Sequence, residues 1–471
     1  MRYVSTRGEA PPLGFMDVTL AGLARDGGLY VPETWPRLSR EAIAGFAGRP
    51  YAEVAVEVIR PFVGDTISEA ELSRLIREAY GTFRHPAVAP VAQFGASTFL
   101  LELFHGPTLA FKDVAMQLLA RLMDHALAAR GERTTIVVAT SGDTGGAAVE
   151  AFRGRERADL FVLFPQGRVS DVQRRMMTTA TDANVHAIAI EGTFDDCQAL
   201  VKALFNHHAF RDRVRLSGVN SINWARIVAQ VVYYFTAAAT LGAPLRKVAF
   251  TVPTGNFGDV YAGYVAERMG LPVDRLVVAT NVNDILVRTL ATGTYDVREV
   301  VATSSPSMDI QVSSNFERLL FEATGRDSGK VRALMASLAQ SRRFSVSTAA
   351  LSEIRALFAA NRADEDETAA TIRTTLRETS RLVDPHTAVG LAVAEKEVRD
   401  PAMPMIVLGT AHPAKFPEAV EAACGVRPVL PDWLSDLPER SEQATPMPVD
   451  QGAVEKFILA ASRAAREGPA A

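Results

Sequence analysis

Cysteine is almost missing from this chain. Only Cys197 and Cys424 occur in 471 residues; they lie far apart and match no metal-ligand spacing. That excludes a disulfide framework and a zinc site. The two read as small buried apolar residues in a reducing, cytoplasmic compartment. No block of lysine and arginine stands out, and the net charge is −4. Nucleic acid and anionic membrane are therefore poor candidates for partners. No apolar run suits a bilayer. The strongest, IVAQVVYYFTAAATLGAPL, holds Gln230 inside and Gly242 and Pro244 near its end, so it reads as a buried helix. The N-terminal MRYVSTRGEAPPLGF lacks the apolar stretch of a secretion signal. Neither a solenoid-period repeat nor a low-complexity tract is visible.

What the chain does have is ordinary globular composition, 48% hydrophobic and 22% charged, at a length that allows two or three domains. The first 92 residues read as a separate N-terminal domain, ending in the Pro-rich link RHPAVAPVAQFG. Residues 93–471 then alternate short β-branched strands with helical patterns. The strand candidates are TFLLELF, TTIVVAT, LFVLFP, VHAIAI, KVAFTVP, RLVVAT and MPMIVLGT. Helices follow at 114–129, within 141–152, and at 193–210, 258–270, 384–398 and 415–425, and Thr193 with Asp196 resembles a capping pair. Such alternation predicts an α/β fold with a mostly parallel sheet flanked by helices. In such sheets ligands bind beyond the carboxyl ends of strands.

Four strand-to-helix turns are rich in usable chemistry. HGPTLAFKD holds Lys112 beside Leu109, Ala110 and Phe111 at the start of a helix. A dry setting there would lower the amine pKa and make it a nucleophile toward a carbonyl; a snorkelling lysine is the simpler alternative. PTGNFGD places Gly255, Asn256, Phe257, Gly258 and Asp259 at a helix start, which suits a phosphate. It is neither a P-loop nor a dinucleotide turn. SGDTGG offers Ser141, Asp143 and Thr144 with exposed backbone, suited to a carboxylate, or else a plain N-cap by Asp143 or Thr144. LGTAHPAKF ends a strand at Thr410, whose hydroxyl can reach a ligand ring; His412 and Lys415 read as structural. Beside these turns, NSINWARI gathers Asn220, Ser221, Asn223 and Arg226, either a second anion grip or a capped helix with a surface arginine. His105 and His386 sit in loops before helices, and His386 reads as a satisfied loop histidine. An amine, two anion-suited turns and a strand-end hydroxyl are the parts required by a cofactor with an aldehyde, a ring and a phosphate, which is pyridoxal phosphate.

With YVSTRG and GLARDGGLYVPE at the N-terminus, and ATNVND between the later motifs, the chain resembles the threonine synthase family. That family belongs to the tryptophan-synthase-β-like, fold type II pyridoxal-phosphate enzymes. The resemblance implies two open, mostly parallel sheets flanked by helices, with a smaller lobe of about residues 113–215 inserted in the larger, plus the small N-terminal domain. It implies that Lys112 holds pyridoxal phosphate as a Schiff base and acts as catalytic base. The backbone of Gly255, Asn256, Phe257, Gly258 and Asp259 would bind the cofactor phosphate, and Thr410 would meet the pyridine nitrogen. Asp143 would lie near the ring's 3-oxygen, where an ionised carboxylate would repel a phenolate. Ser141 and Thr144 would receive the substrate carboxylate, and Ser221 and Arg226 the substrate phosphate. The implied reaction converts O-phospho-L-homoserine and water to L-threonine and phosphate, without a metal, in a cytoplasmic monomer or homodimer. A serine/threonine dehydratase or phospho-lyase of the same fold is the alternative, and a catalytically inactive pyridoxal-phosphate-binding protein a more distant one. A nucleotide-binding domain on 255–259 lacks a P-loop lysine and a ribose-binding acid.

Overall fold

The structure, a computed structural model, describes residues 1–466. Its N-terminal part opens with a three-stranded antiparallel sheet, Arg2–Ser5 between Leu13–Gly14 and Tyr30–Pro32. Two helices follow. Tyr51–Val63 carries apolar residues at helical spacing, and Val54, Val58, Ile59 and Phe62 are fully buried. Ser68 caps Glu69–Tyr80 by accepting the Glu71 N–H at 3.2 Å. The helix Tyr51–Val63 packs on Trp224–Thr240, the buried helix expected from the longest apolar run. Trp224 sits at the centre of that contact, with the rings of Tyr3, Phe62 and Trp35 at 5.8, 5.9 and 6.2 Å. Aromatic packing of this kind is a main anchor of a domain to its neighbour.

Two large sheets make up the rest. One has six strands in the order Phe358–Arg362, Val273–Thr280, Val248–Pro253, Met405–Gly409, Thr98–Glu102 and Val91–Gln93, parallel except for the last pair. The other has five parallel strands in the order Thr445–Met447, Val185–Ile190, Ala158–Pro165, Thr134–Ala139 and Leu216–Ser217. Their central strands are buried on both faces, which is why they read as unbroken apolar runs. The carboxyl ends of Thr134–Ala139, Val248–Pro253 and Met405–Gly409 carry the three turns rich in polar groups.

The structure departs from the sequence reading in detail. The helix expected over 193–210 is two helices, Phe194–Asn206 and His208–Arg213, because His207 leaves the helical region at φ −81°, ψ 83°. Thr193 and Asp196 do form a reciprocal capping box. The smaller sheet also reaches past the 113–215 segment, since Thr445–Met447 returns to pair with Val185–Ile190. That strand is three residues long and contains a proline, so no apolar pattern announces it. Cys197 is buried and Cys424 half-buried, both as free thiols. Among the described residues no helix is long and apolar enough to cross a membrane, and no cluster of three metal-ligating side chains occurs.

Candidate active site

One cavity of about 1020 Å³ collects the turns. Lys112 is the first residue of the helix Lys112–Arg130. Its approach is fixed by the neighbouring strand end: Phe111 N–H donates to the Thr410 carbonyl at 2.8 Å, and His412 N–H to the Leu109 carbonyl at 3.0 Å. These bonds place the amine and the Thr410 hydroxyl on one cavity wall. The Lys112 ammonium lies 4.9 Å from the Phe111 ring. Leu109 shields less directly than its sequence position implies, since it packs with Met176 and Leu437 in a separate apolar cluster.

Lys112 Nζ is 3.3 Å from Asp143 Oδ2 and 3.5 Å from the Ser307 hydroxyl. Burial pushes its pKa down from the ordinary lysine value; Asp143 opposes this, and the charges of Lys415 and Arg226 add to it. Asp143 has a stronger partner in Lys415, which is fully buried and 2.8 Å from Oδ1. Gln173 donates to the same oxygen at 3.0 Å. Burial alone would raise the Asp143 pKa, but Lys415 and Lys112 together hold it well below the usual carboxylate range. Asp143 is therefore ionised, with its charge balanced from behind. Neither it nor Thr144 caps the helix Asp143–Phe152. Thr140 Oγ1 does that work, accepting the N–H groups of Gly142 and Gly145 at 2.9 Å each. Ser141 and Thr144 remain on the cavity wall.

The bend at 255–259 is shaped for an anion. Phe257 adopts a left-handed conformation at φ 63°, and the helix Gly258–Arg268 begins immediately after it. The carbonyls face away: Gly255 O accepts from the Ser313 hydroxyl at 2.6 Å, and Asn256 O from Asn315 N–H at 3.1 Å and Asn315 Nδ2 at 2.9 Å. That leaves the N–H edge and the helix N-terminus for the ligand. The fit at Gly255 is close, as a Cβ there would stand 2.5 Å from the Ser307 carbonyl. Gly255→Ala should therefore displace the 307 segment at an overpacking cost of about 1–3 kcal/mol. Cofactor affinity, followed by fluorescence titration, should fall roughly tenfold to a hundredfold; unchanged affinity would show that the bend does not hold the phosphate. The Asp259 side chain points elsewhere, accepting hydrogen bonds from the Tyr233 hydroxyl and, at 3.1 Å, the Tyr234 hydroxyl. Burial pushes its pKa up to about 7 despite those bonds.

Ser221 and Arg226 line the same cavity. Arg226 is buried, not a surface residue, and its pKa is pushed down to about 10 by that burial. It donates to the Val219 carbonyl at 3.0 Å, while its Nε has no hydrogen-bond partner among the described residues. Asn223 belongs to the scaffold: it accepts the Ala225 N–H at 3.0 Å as the cap of Trp224–Thr240 and donates to the Thr19 carbonyl at 2.9 Å. His386 is both satisfied and in the site. Nδ1 meets buried Asp384 at 2.8 Å, Nε2 accepts the Ser307 N–H at 3.2 Å, and the ring lines the cavity. His412 caps a short turn by accepting the Ala414 N–H at 3.1 Å, and burial lowers its pKa to about 4.

Gln173 and Ser307 escape the sequence reading, as do the pairing of Lys415, read there as structural, with Asp143 and the N-terminal wall of the cavity, where Arg7, Gly22 and Leu23 stand. Only the N-terminal motifs YVSTRG and GLARDGG hint at that wall. An amine, an anion bend backed by a close-fitting glycine, and a strand-end hydroxyl around one cavity fit pyridoxal phosphate.

Comparison with known proteins agrees. The chain matches the family Threonine synthase N terminus over residues 2–80, Pyridoxal-phosphate dependent enzyme over 83–404, and Threonine synthase, C-terminal, over 387–458. It is 54% identical to a threonine synthase of Pseudomonas aeruginosa, covering 97% of this chain and 98% of that one. The chain belongs to the threonine synthase family. Two solved threonine synthase structures share the fold over 98% of this chain. The pyridoxal-phosphate-bound protein of Brucella melitensis superposes at a TM-score of 0.95 with 62% identity, covering all of that chain. The yeast protein superposes at 0.92 with 37% identity, covering 98% of it. As a threonine synthase of fold type II, the enzyme uses pyridoxal phosphate and acts on a small molecule.

Proposed function

We propose that this threonine synthase takes O-phospho-L-homoserine and water to L-threonine and phosphate, with each cavity wall in a separate role. Lys112 would hold the cofactor covalently, and its freed Nζ would take the proton from the substrate Cα. Bound pyridoxal phosphate supplies an aldehyde for amines and an electron sink for the charge left at Cα. The backbone of Gly255, Asn256, Phe257, Gly258 and Asp259 binds the cofactor phosphate. Thr410, on the cavity wall, would meet the ring nitrogen through a hydroxyl, which would not keep that nitrogen protonated as a carboxylate does. Asp143 would lie near the 3-oxygen, and Lys415, 2.8 Å from its Oδ1, would offset the repulsion that an isolated carboxylate would cause. Ser141 and Thr144 receive the substrate carboxylate, and Ser221 and Arg226 the γ-phosphate that leaves before water adds at Cβ. Residues 1–92 form a domain that supplies one wall over the catalytic region 93–471.

The single observation behind the substrate is Arg226: a buried guanidinium, with Nε unpartnered among the described residues, in the same cavity as Lys112. A site for unphosphorylated serine or threonine has no need of it. Incubation with phosphohomoserine should release phosphate and threonine one for one. Phosphate accompanied by ammonia in place of threonine would mark a lyase or dehydratase and overturn the reading.

A further inference from the structure

Three ionisable groups share one buried corner at the edge of the cavity, with Lys112 and Asp143 on its wall and Lys415 behind them, and they carry one negative charge between two amines. Lys415 is wholly buried; it holds Asp143 Oδ1 at 2.8 Å and also donates to the Thr108 carbonyl at 2.8 Å. Lys112 meets the other carboxylate oxygen at 3.3 Å, and its second neighbour, the Ser307 hydroxyl, is at 3.5 Å. The contacts are unequal. Lys415 has two short, well-made bonds, one of them charge-assisted; Lys112 has two long ones. With one carboxylate already neutralised, a second ammonium is surplus in a site with little water to solvate it.

We propose that Lys415 is a positioning residue that sets the charge of the site: by occupying Asp143 it leaves Lys112 as the amine that releases its proton to water. This rests on Lys112 being the cofactor-binding amine. The remaining charged groups facing Lys112 fall on both sides of the balance. Arg226 and Lys415 disfavour its ammonium form, Asp143 and Asp259 favour it, and His386 faces Asp143 from the helix Pro385–Lys396. Around Lys415 stand Asp113 and His412 in addition to Asp143. Asp113 accepts from Thr108 N–H at 2.8 Å and its hydroxyl at 2.6 Å, so it is engaged locally. No other carboxylate reaches Lys415 in an ion pair among the described residues. The lowered pKa of Lys112 agrees with this division of labour.

The test uses the full chain stripped of cofactor, pulsed with pyridoxal and cyanoborohydride across pH 5.5–9.5, with peptide mass spectrometry to count capture at Lys112. Capture needs the neutral amine, so its acid limb reports the Lys112 proton. Lys415→Met leaves Asp143 to pair with Lys112, and the limb should move up by about one pH unit or more. Lys415→Arg keeps the charge and should hold the limb within about 0.3 unit. Asp143→Asn removes the anion between two cations, so its limb should move down, which gives an answer even if Lys415→Met does not fold. An unmoved limb in Lys415→Met, or an upward or absent shift in Asp143→Asn, overturns the proposal. Capture by the parent protein at a lysine other than 112 would instead overturn the assignment of Lys112, a different and distinguishable failure.

Discussion

Lys112→Ala should lower turnover by about 10³-fold or more, because on the proposed assignment one change would remove both the covalent hold on the cofactor and the base at Cα. Borohydride should then no longer fix a pyridoxyl group to the chain, and the bound cofactor should show the spectrum of a free aldehyde. The fold should tolerate the change. Lys112 is the surplus cation of its corner, so removing it relieves repulsion with Lys415 and Arg226. The melting temperature is expected to hold or rise while activity vanishes. Near-normal turnover in this variant would take the lysine out of the chemistry.

Arg226→Ala should produce the second largest effect and separate binding from chemistry. Loss of a charge-assisted, desolvated contact to a phosphate is worth about 2–5 kcal/mol. kcat/KM for phosphohomoserine should fall by roughly 10²- to 10³-fold. An amino-acid substrate without the phosphate should lose less than about threefold, since it never meets the guanidinium. The protein without substrate should become more stable, because a buried cation whose Nε has no partner costs free energy until an anion arrives. Equal losses on both substrates would place the phosphate elsewhere.

The turns and central strands were legible because parallel strands buried on both faces must be apolar throughout, and ligand groups must sit where those strands end. TTIVVAT, KVAFTVP and MPMIVLGT followed that rule, and each led to a turn on the cavity. The edges did not. Phe358–Arg362 reads FAANR, half polar because it lies at a sheet edge. Thr445–Met447 depends on its partner strand and not on its own composition. Within the site, residue types that bind ligands directly stood out, whereas their supports did not. Lys415 reads as a structural lysine at a helix start, and only the fold shows that its partner is Asp143, far away in the chain. Arg226 and Asn223 sit three residues apart with the same polar look, and only packing sends one into the cavity and the other to a helix cap. Thr140 was one hydroxyl among three in its turn, and which of them the backbone consumes is a matter of local geometry alone.

The contacts that close the N-terminal wall have a consequence for how the protein is made. Thr6 and Arg7 bond to Glu317 at 2.6 and 3.0 Å, and the Tyr30 carbonyl accepts from buried Arg318 at 3.0 Å. These partners are 311, 310 and 288 residues apart. At a ribosomal rate of about 5–20 residues per second, the first domain waits roughly 15–60 s for them. Until then only contacts to segments made earlier can hold it in place, among them the Trp224 knot once that residue has emerged and the bond from Asn223 to the Thr19 carbonyl. The emerging polypeptide thus has an interval in which its earliest segment is attached but not latched, and a chaperone that recognises aromatic surface would have its opportunity there.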